Sequence, residues 1–282
     1  MGSQQEMKLI ADSGSTKVDW ALLSDKLLRL NTVGLNPNYM ESSEIVKILE
    51  QEIKPFCPVV ESIHFFGAGI VGEEMKRKLA CCMKAVWKDA ELELSSDVLA
   101  SALALFGKDR GIACILGTGS NSCLCEQGKI LQNVKAGGFI LGDEGSGNWI
   151  GKHLLMDYIK GIMPEDLARE FEAEYGLSYA GIVERVYRQS AAAAYLASLN
   201  MFAAKKMEEA YIQELVREGF REFLYRNVCR YEGWESMEIG FVGSVAKQYE
   251  SLLRECCEEK SLKVRKIIKA PIEELIKYYE SN

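Results

Sequence analysis

Two near-copies of one glycine-rich turn, about a hundred residues apart, constrain this chain more than any other feature. The first lies in Leu9-Ile-Ala-Asp-Ser-Gly-Ser-Thr-Lys17, the second in Cys114-Ile-Leu-Gly-Thr-Gly-Ser-Asn121. Aligned on Gly14 and Gly119, each reads as an apolar run, a small-residue turn and a second apolar run, that is, strand, tight hairpin, strand. A hairpin of Gly, Ser and Thr lets phosphate oxygens approach backbone N–H groups, because few side chains stand in the way. The repeat predicts a duplicated fold that holds phosphate.

The rest of the pattern repeats with the turns. Strands are predicted at 8–12, 18–23 and 27–33, then a helix at 44–53, a strand at 62–67, a helix at 73–87, a strand at 91–94 and a helix at 96–106. Ser96 is the expected N-cap of that last helix and Gly107 its C-terminal stop. The order then restarts with strands at 112–116, 120–126 and 129–135, followed by a long helical stretch at about 144–232. A strand at 238–241, a helix at 244–259, a strand at 263–268 and a helix at 271–279 complete the chain. Alternating helices and strands imply parallel pairing in the second part of each sheet. The expected domains are 7–108 and 109–270, with the terminal helix within 271–282 packing back on the first.

Composition narrows the function. Thirty-four basic residues against forty-one acidic ones give a net charge of −7, which argues against a nucleic-acid backbone as partner. No apolar run approaches the ~20 residues of a membrane helix. Met1–Glu6 is polar, without the basic and apolar regions of a signal peptide. Nine cysteines, several within apolar runs and none in a C-x-x-C pair, suit a reducing cytoplasm. Cys123 and Cys125 point to one face of their strand, a weak metal half-site at most, and the only histidines, His64 and His153, read as packing or surface residues.

A third turn, Gly240-Phe-Val-Gly-Ser-Val-Ala246, joins the first two. With it the chain resembles the sugar kinase/Hsp70/actin superfamily over essentially its whole length. Gly142-Asp-Glu-Gly-Ser-Gly147 and Gly117-Thr-Gly-Ser-Asn-Ser122 resemble the N-acetylglucosamine kinase and BadF/BadG-type ATPase group within it. The resemblance implies an α/β fold of two ribonuclease-H-like (actin-like) domains, each a mixed five-stranded sheet with flanking helices, and ATP in the cleft between them. It implies ATP and Mg²⁺ as cofactors, a small sugar as acceptor and, as is common in such kinases, a homodimer.

The same resemblance implies roles for individual residues. Asp97 is the expected catalytic base, although an Asp in a helix's first turn is favoured by the helix dipole alone. Asp12 is the expected Mg²⁺-associated carboxylate, acting through water, since Mg²⁺ keeps several waters and takes few carboxylates. The alternative for Asp12 is a simple turn cap. Gly14, Ser15, Thr16 and Lys17, then Gly117, Thr118, Gly119, Ser120 and Asn121, are the expected phosphate contacts, and Gly243 and Ser244 the adenosine turn. Ser244 also reads as a helix N-cap. Asn36, Asn38, Gly138 and Asp143 are the expected sugar contacts. Asn36 and Asn38 read equally well as a plain Asn-Pro-Asn turn, and Asp143 and Glu144 as charges at a helix start.

One segment departs from the group. Where its members carry Gly-Gly-Trp-Gly and a longer stretch, this chain has Gly137-Gly-Phe-Ile-Leu-Gly142. That loop lines the acceptor's substituent pocket in the group, so the acceptor is left open between N-acetylglucosamine, another amino sugar and a related small molecule. Two further readings compete with a kinase: an activating ATPase for a radical dehydratase, whose cysteine turn for an iron–sulfur cluster is not found here, and a non-catalytic nucleotide- or sugar-sensing module.

Overall fold

The computed structural model describes residues 7–14, 17–37, 40–68, 70, 72–189 and 191–281. Ser15, Thr16 and Asn38, three of the expected site residues, lie outside the described residues. In chain order the elements are β1 (Lys8–Ser13), β2 (Lys17–Leu23), β3 (Leu28–Val33), α1 (Ser42–Ile48), β4 (Ser62–Gly67), α2 (Glu73–Val86), β5 (Glu91–Ser95) and α3 (Asp97–Phe106). There follow β6 (Gly111–Leu116), β7 (Ser120–Glu126), β8 (Lys129–Gln132), α4 (Gly138–Leu141), α5 (Gly147–Lys160), α6 (Glu165–Tyr175), α7 (Tyr179–Val183), α8 (Ala192–Lys205) and α9 (Ala210–Arg226). The chain closes with β9 (Glu238–Val242), α10 (Ser244–Gln248), α11 (Glu250–Glu258), β10 (Lys263–Ile268) and α12 (Ile272–Glu280).

The chain divides into two compact units. The first takes the described residues up to Lys108, the turn at Gln127–Lys129 and the chain from Pro271 onward; the second takes Asp109–Glu126 and Ile130–Ala270. Each contains one mixed five-stranded sheet, ordered β3-β2-β1-β4-β5 and β10-β9-β6-β7-β8. In the first sheet β1 pairs antiparallel with β2 and parallel with β4, and β4 parallel with β5. In the second, β6 pairs antiparallel with β7 and parallel with β9, and β9 parallel with β10. Both units thus share one plan: a meander on one side and parallel crossovers on the other.

Alternation along β1 builds the first unit's layers. Leu9 and Ala11 face one core with Trp20, Ile63 and Phe65, covered by α1 and α2 through Ile45, Leu79 and Met83. Ile10 faces the other with Ala21 and Phe66, covered by α3 through Ala100 and Leu103. Helix α12, more than a hundred and fifty residues later in the chain, completes that second layer with Leu275 and Ile276. Arg29 pairs with Glu273, and Tyr279 donates to Glu93 Oε2 at 3.3 Å, so polar contacts fix the rim of the same layer. Fully buried Leu275 is the anchor. Leu275→Ala is expected to lower the unfolding free energy by about 2–5 kcal/mol in a denaturant titration. The surface pair contributes less, and Arg29→Ala is expected to cost under ~1 kcal/mol in the same titration.

The second unit has one continuous core. Strand residues Ile112, Cys114, Ile239 and Phe241 meet Trp149, Leu196, Leu199, Phe220 and Phe223 from α5, α8 and α9. His153 stacks on Trp149 with ring centroids 3.6 Å apart, and His64 in the first unit packs at a tilt against Tyr279 and sits 2.7 Å from Glu93 Oε2. All nine cysteines are free thiols, and Cys123 and Cys125 are both buried. No helix among the described residues is long and apolar enough to cross a membrane.

Three elements end where the sequence pattern continues. The helix expected over 244–259 breaks at Tyr249, whose backbone leaves the helical region while its buried hydroxyl donates to Asn200 Oδ1 at 2.7 Å. Gly243, not Ser244, stands at the N-cap position of α10, and no side chain caps that end. Strand β8 stops at Gln132 because the Asn133 side chain turns inward, donating to Asn121 Oδ1 at 2.9 Å and to the Ser122 carbonyl at 2.7 Å. The first expected helix ends in a wider turn over Leu49–Ile53, closed by the Lys54 N–H on the Leu49 carbonyl at 2.8 Å.

Candidate active site

The C-terminal edge of the parallel strands is where loops of an open α/β sheet gather functional groups. In the first unit Asp12 lies at that end of β1, level with Phe66 of β4, which is itself level with Ser95 of β5. Asp97 follows two residues later as the first residue of α3. Ser96 caps that helix by accepting the Leu99 N–H at 3.3 Å, so the chain reverses from strand to helix at Asp97. Burial pushes the Asp97 carboxyl above its ordinary value, and backbone N–H groups of Val98 and its own residue pull partly against that. A carboxyl so placed is a stronger proton acceptor, once ionised, than one in water.

Asp12 is a second unusual acid. Burial, then the nearby carboxylates of Asp19 and Asp97, push it up to about 7, against a smaller lowering by Lys17. The pairing of β1 with β2 puts Asp19 directly opposite Asp12 across the hairpin. Like charges at opposed positions destabilise a sheet. Lys17 relieves this only in part for Asp12, since its ammonium pairs with Asp19 Oδ2 at 2.8 Å. Among the described residues no group of three or more His, Cys, Asp or Glu gathers to hold a metal, and Asp19 is already engaged by Lys17 and the Asn31 amide, so of this pair Asp12 is the carboxylate open to a ligand. That carboxylate fits a hard divalent cation such as Mg²⁺. The sequence reading passed over Asp19; the signal available was its equal distance with Asp12 from the hairpin turn, which makes them cross-strand partners.

Gly14 N–H closes the first hairpin on the Lys17 carbonyl at 3.0 Å, and Gly117 N–H closes the second on the Gly119 carbonyl at 3.0 Å. The glycines have different reasons to be glycine. A Cβ on Gly117 would meet nothing within 4 Å, and one on Gly14 only the Lys17 carbonyl at 3.6 Å. Nothing among the described residues requires their smallness, so it is available to a ligand. A Cβ on Gly119 would stand 2.9 Å from Asp143 Oδ2, so Gly119 makes room for a protein carboxylate. Gly243 has φ +136° and its Cβ would lie 2.0 Å from the Leu116 carbonyl oxygen, so the end of β6 requires it. Gly243→Ala is expected to destabilise the protein by more than ~4 kcal/mol and to leave little folded chain, read by thermal melting and circular dichroism. Gly117→Ala is expected to melt with the wild type.

The remaining expected residues are placed as follows. Thr118 is exposed at the hairpin tip, and its carbonyl accepts the Asn148 N–H at 3.0 Å. Asn121 Oδ1 accepts from the Ser122 N–H and from Asn133, which holds its amide inward along β7. Ser244 is exposed at the start of α10. Asn36 is half-buried, its carbonyl accepting the Met40 N–H, and Lys78 pins that loop by donating to the Pro37 and Met40 carbonyls at 2.8 and 2.6 Å. Gly138 opens the short α4, with its Cβ direction open. Phe139 packs on the core, while Ile140 and Leu141 of the same segment are exposed.

Asp143 is only 7 % exposed, and both carboxylate oxygens are engaged. Oδ1 accepts the Ser120 N–H at 3.1 Å and Oδ2 accepts from Asn148 Nδ2 at 2.9 Å. Its neighbour Glu144 takes another direction, accepting from Asn227 Nδ2 at 3.2 Å. Asp143, Ser120, Gly119 and Asn148 thus form one cluster in the second unit, and Asp12, Asp97, Lys17 and Asp19 another in the first. Asn148 and Asn133 carried no role in the sequence reading.

No protein-family model and no curated protein matches the chain. Solved structures do. A candidate N-acetylglucosamine kinase from Porphyromonas gingivalis is 38% identical with a TM-score of 0.92, covering 98% of this chain and 99% of its own. A candidate N-acetylglucosamine kinase from Chromobacterium violaceum is 15% identical with a TM-score of 0.75, covering 97% and 98%. A ROK hexokinase from Thermus thermophilus is 14% identical with a TM-score of 0.52, covering 93% and 92%. The latter two establish the fold alone: duplicated actin-like domains, as the sheet orders already indicate. The 38% identity over nearly the full length of both chains goes further, and this chain belongs to the N-acetylglucosamine kinase family of actin-like sugar kinases.

Proposed function

We propose that this protein is a carbohydrate kinase that transfers the γ-phosphoryl group of ATP to a hydroxyl of a small amino sugar. The observation that carries the reading is the pair of desolvated carboxyls, Asp12 and Asp97, at the C-terminal edge of the first unit's parallel strands. Ionised Asp97 accepts the proton of the attacking sugar hydroxyl. The sugar oxygen bonds to the γ-phosphorus, the bond from that phosphorus to the β,γ-bridging oxygen breaks, and ADP carries away the electron pair. Little covalent chemistry falls to the protein, so positioning and charge neutralisation supply most of the rate. Gly14 and Gly117, whose small size no described neighbour requires, let phosphate oxygens come close to the two hairpins. Asp12 would hold Mg²⁺ partly through water, and the ion when bound would offset charge on the phosphates.

N-acetylglucosamine is the first acceptor to test, because it is named for the 38%-identical relative. Asp143 and Gly138 serve the acceptor in this reading. The homodimer that the resemblance implies is read by light scattering in solution. The function is tested by ADP release with amino sugars, N-acetylated amino sugars and neutral hexoses offered separately. Release that depends on one amino sugar supports the kinase. Release at the same rate without any sugar supports an ATPase and overturns the reading.

A further inference from the structure

The carboxylate of Asp143 is held by more than its own loop. Its backbone has φ +56°, a left-handed conformation that Asp tolerates better than most residues and that sets the direction of its side chain. It is buried, and no Lys or Arg among the described residues pairs with it, so its hydrogen bonds must compensate for lost water. One comes from the Ser120 N–H of the second phosphate hairpin at 3.1 Å. The other comes from Asn148 Nδ2 at 2.9 Å, on the first turn of α5.

Asn148 is itself fixed at both ends. Its Oδ1 accepts the Ser146 hydroxyl at 3.0 Å, while its backbone N–H donates to the Thr118 carbonyl at 3.0 Å. The neighbouring Gly147 N–H donates to the Gly117 carbonyl at 2.8 Å. Ser146 and Asn148 are 0 % and 2 % exposed. A carboxylate offers about four acceptor sites, so two protein donors leave Asp143 with capacity for a ligand hydroxyl.

We infer that Asn148 is a positioning residue: it aims the Asp143 carboxylate and, through Asp143, ties the acceptor segment Gly142–Gly147 to the phosphate hairpin Gly117–Ser120. The assignment of Asp143 to the acceptor rests on the kinase reading above; the hydrogen-bonded linkage does not. A buried amide that donates to a carboxylate and accepts from a hydroxyl cannot be exchanged for an apolar residue without freeing the carboxylate.

The experiment uses Asn148→Leu, of similar volume without a donor, and Asn148→Ala, which relieves any crowding by leucine. Amide hydrogen exchange of the labelled protein reads the linkage without catalysis. Ser120 is expected to exchange about tenfold faster or more in both variants, while Ser122 and Leu124 on the same strand stay close to wild type, as local opening requires. In kinetics the acceptor kcat/KM is expected to fall about 10–100-fold, mainly through KM, which is the size of one lost hydrogen bond to a charged group. ADP affinity is expected to stay near that of the wild type. Unchanged Ser120 exchange, or equal acceleration along all of β7, overturns the inference and leaves Asn148 as packing. Faster Ser120 exchange with an unaltered acceptor KM overturns the tie to the acceptor. A wild type that phosphorylates no sugar refutes the kinase reading instead, and the exchange result still decides the linkage.

Discussion

Asparagine at position 97 is expected to lower kcat by about 10²–10⁴, the usual contribution of a positioned general base. The substitution is nearly isosteric and keeps the helix start intact, because Ser96, not Asp97, caps α3. ADP affinity is therefore expected to stay close to wild type, and stability to match it at pH 4 and to exceed it at pH 8, where the wild type must ionise a buried acid. The pH profile carries a second signature. Burial raises the Asp97 carboxyl, so wild-type kcat/KM is expected to fall as pH drops through a midpoint above the ordinary 3.8. Asp97→Asn is expected to lose that acid limb along with the rate. A full-rate Asp97→Asn enzyme would remove Asp97 from the chemistry.

Asp12→Asn is expected to act on stability as strongly as on turnover, and in the opposite sense. In metal-free buffer the folded protein holds a proton on Asp12 up to about pH 7, whereas the unfolded chain releases it near 3.8. Folded-state stability is then fully present below pH 3.8 and is lost as pH rises through the folded value. At about 1.4 kcal/mol per pH unit the loss reaches at most ~4 kcal/mol. Asparagine does not titrate, so Asp12→Asn is expected to unfold at higher temperature than wild type at pH 8 and at nearly the same temperature at pH 4. Millimolar Mg²⁺ is expected to stabilise wild type by mass action and to leave the variant unmoved. Equal melting of the two proteins at pH 8 in chelator would show that Asp12 carries no such burden.

Most of the scaffold was legible in the sequence because the signals were local. The strands at 62–67, 120–126 and 263–268 have the boundaries their apolar runs predict, and Ser96 caps α3 as its position before the Ala/Leu-rich run predicts. The two hairpins were visible because small residues interrupt strand patterns at matching places. What was not legible depends on residues distant in sequence. The break at Tyr249 follows from its hydroxyl reaching Asn200, forty-nine residues away. The end of β8 follows from the Asn133 amide turning back onto β7. The room beside Gly119 is filled by the carboxylate of Asp143, and Gly243 is required by the Leu116 carbonyl, both contacts between residues distant in sequence. Sequence showed where the small and polar residues of the turns lie; which of them pack against one another depends on contacts distant in the chain.

The most direct test of the central claim is the product itself. Wild-type protein with ATP, Mg²⁺ and N-acetylglucosamine, and in parallel with other amino sugars, is analysed by mass spectrometry and phosphorus NMR. The account predicts one sugar monophosphate ester formed in equal amount to ADP, and almost none with Asp97→Asn. ADP with free inorganic phosphate and no phosphorylated sugar from any acceptor would contradict it.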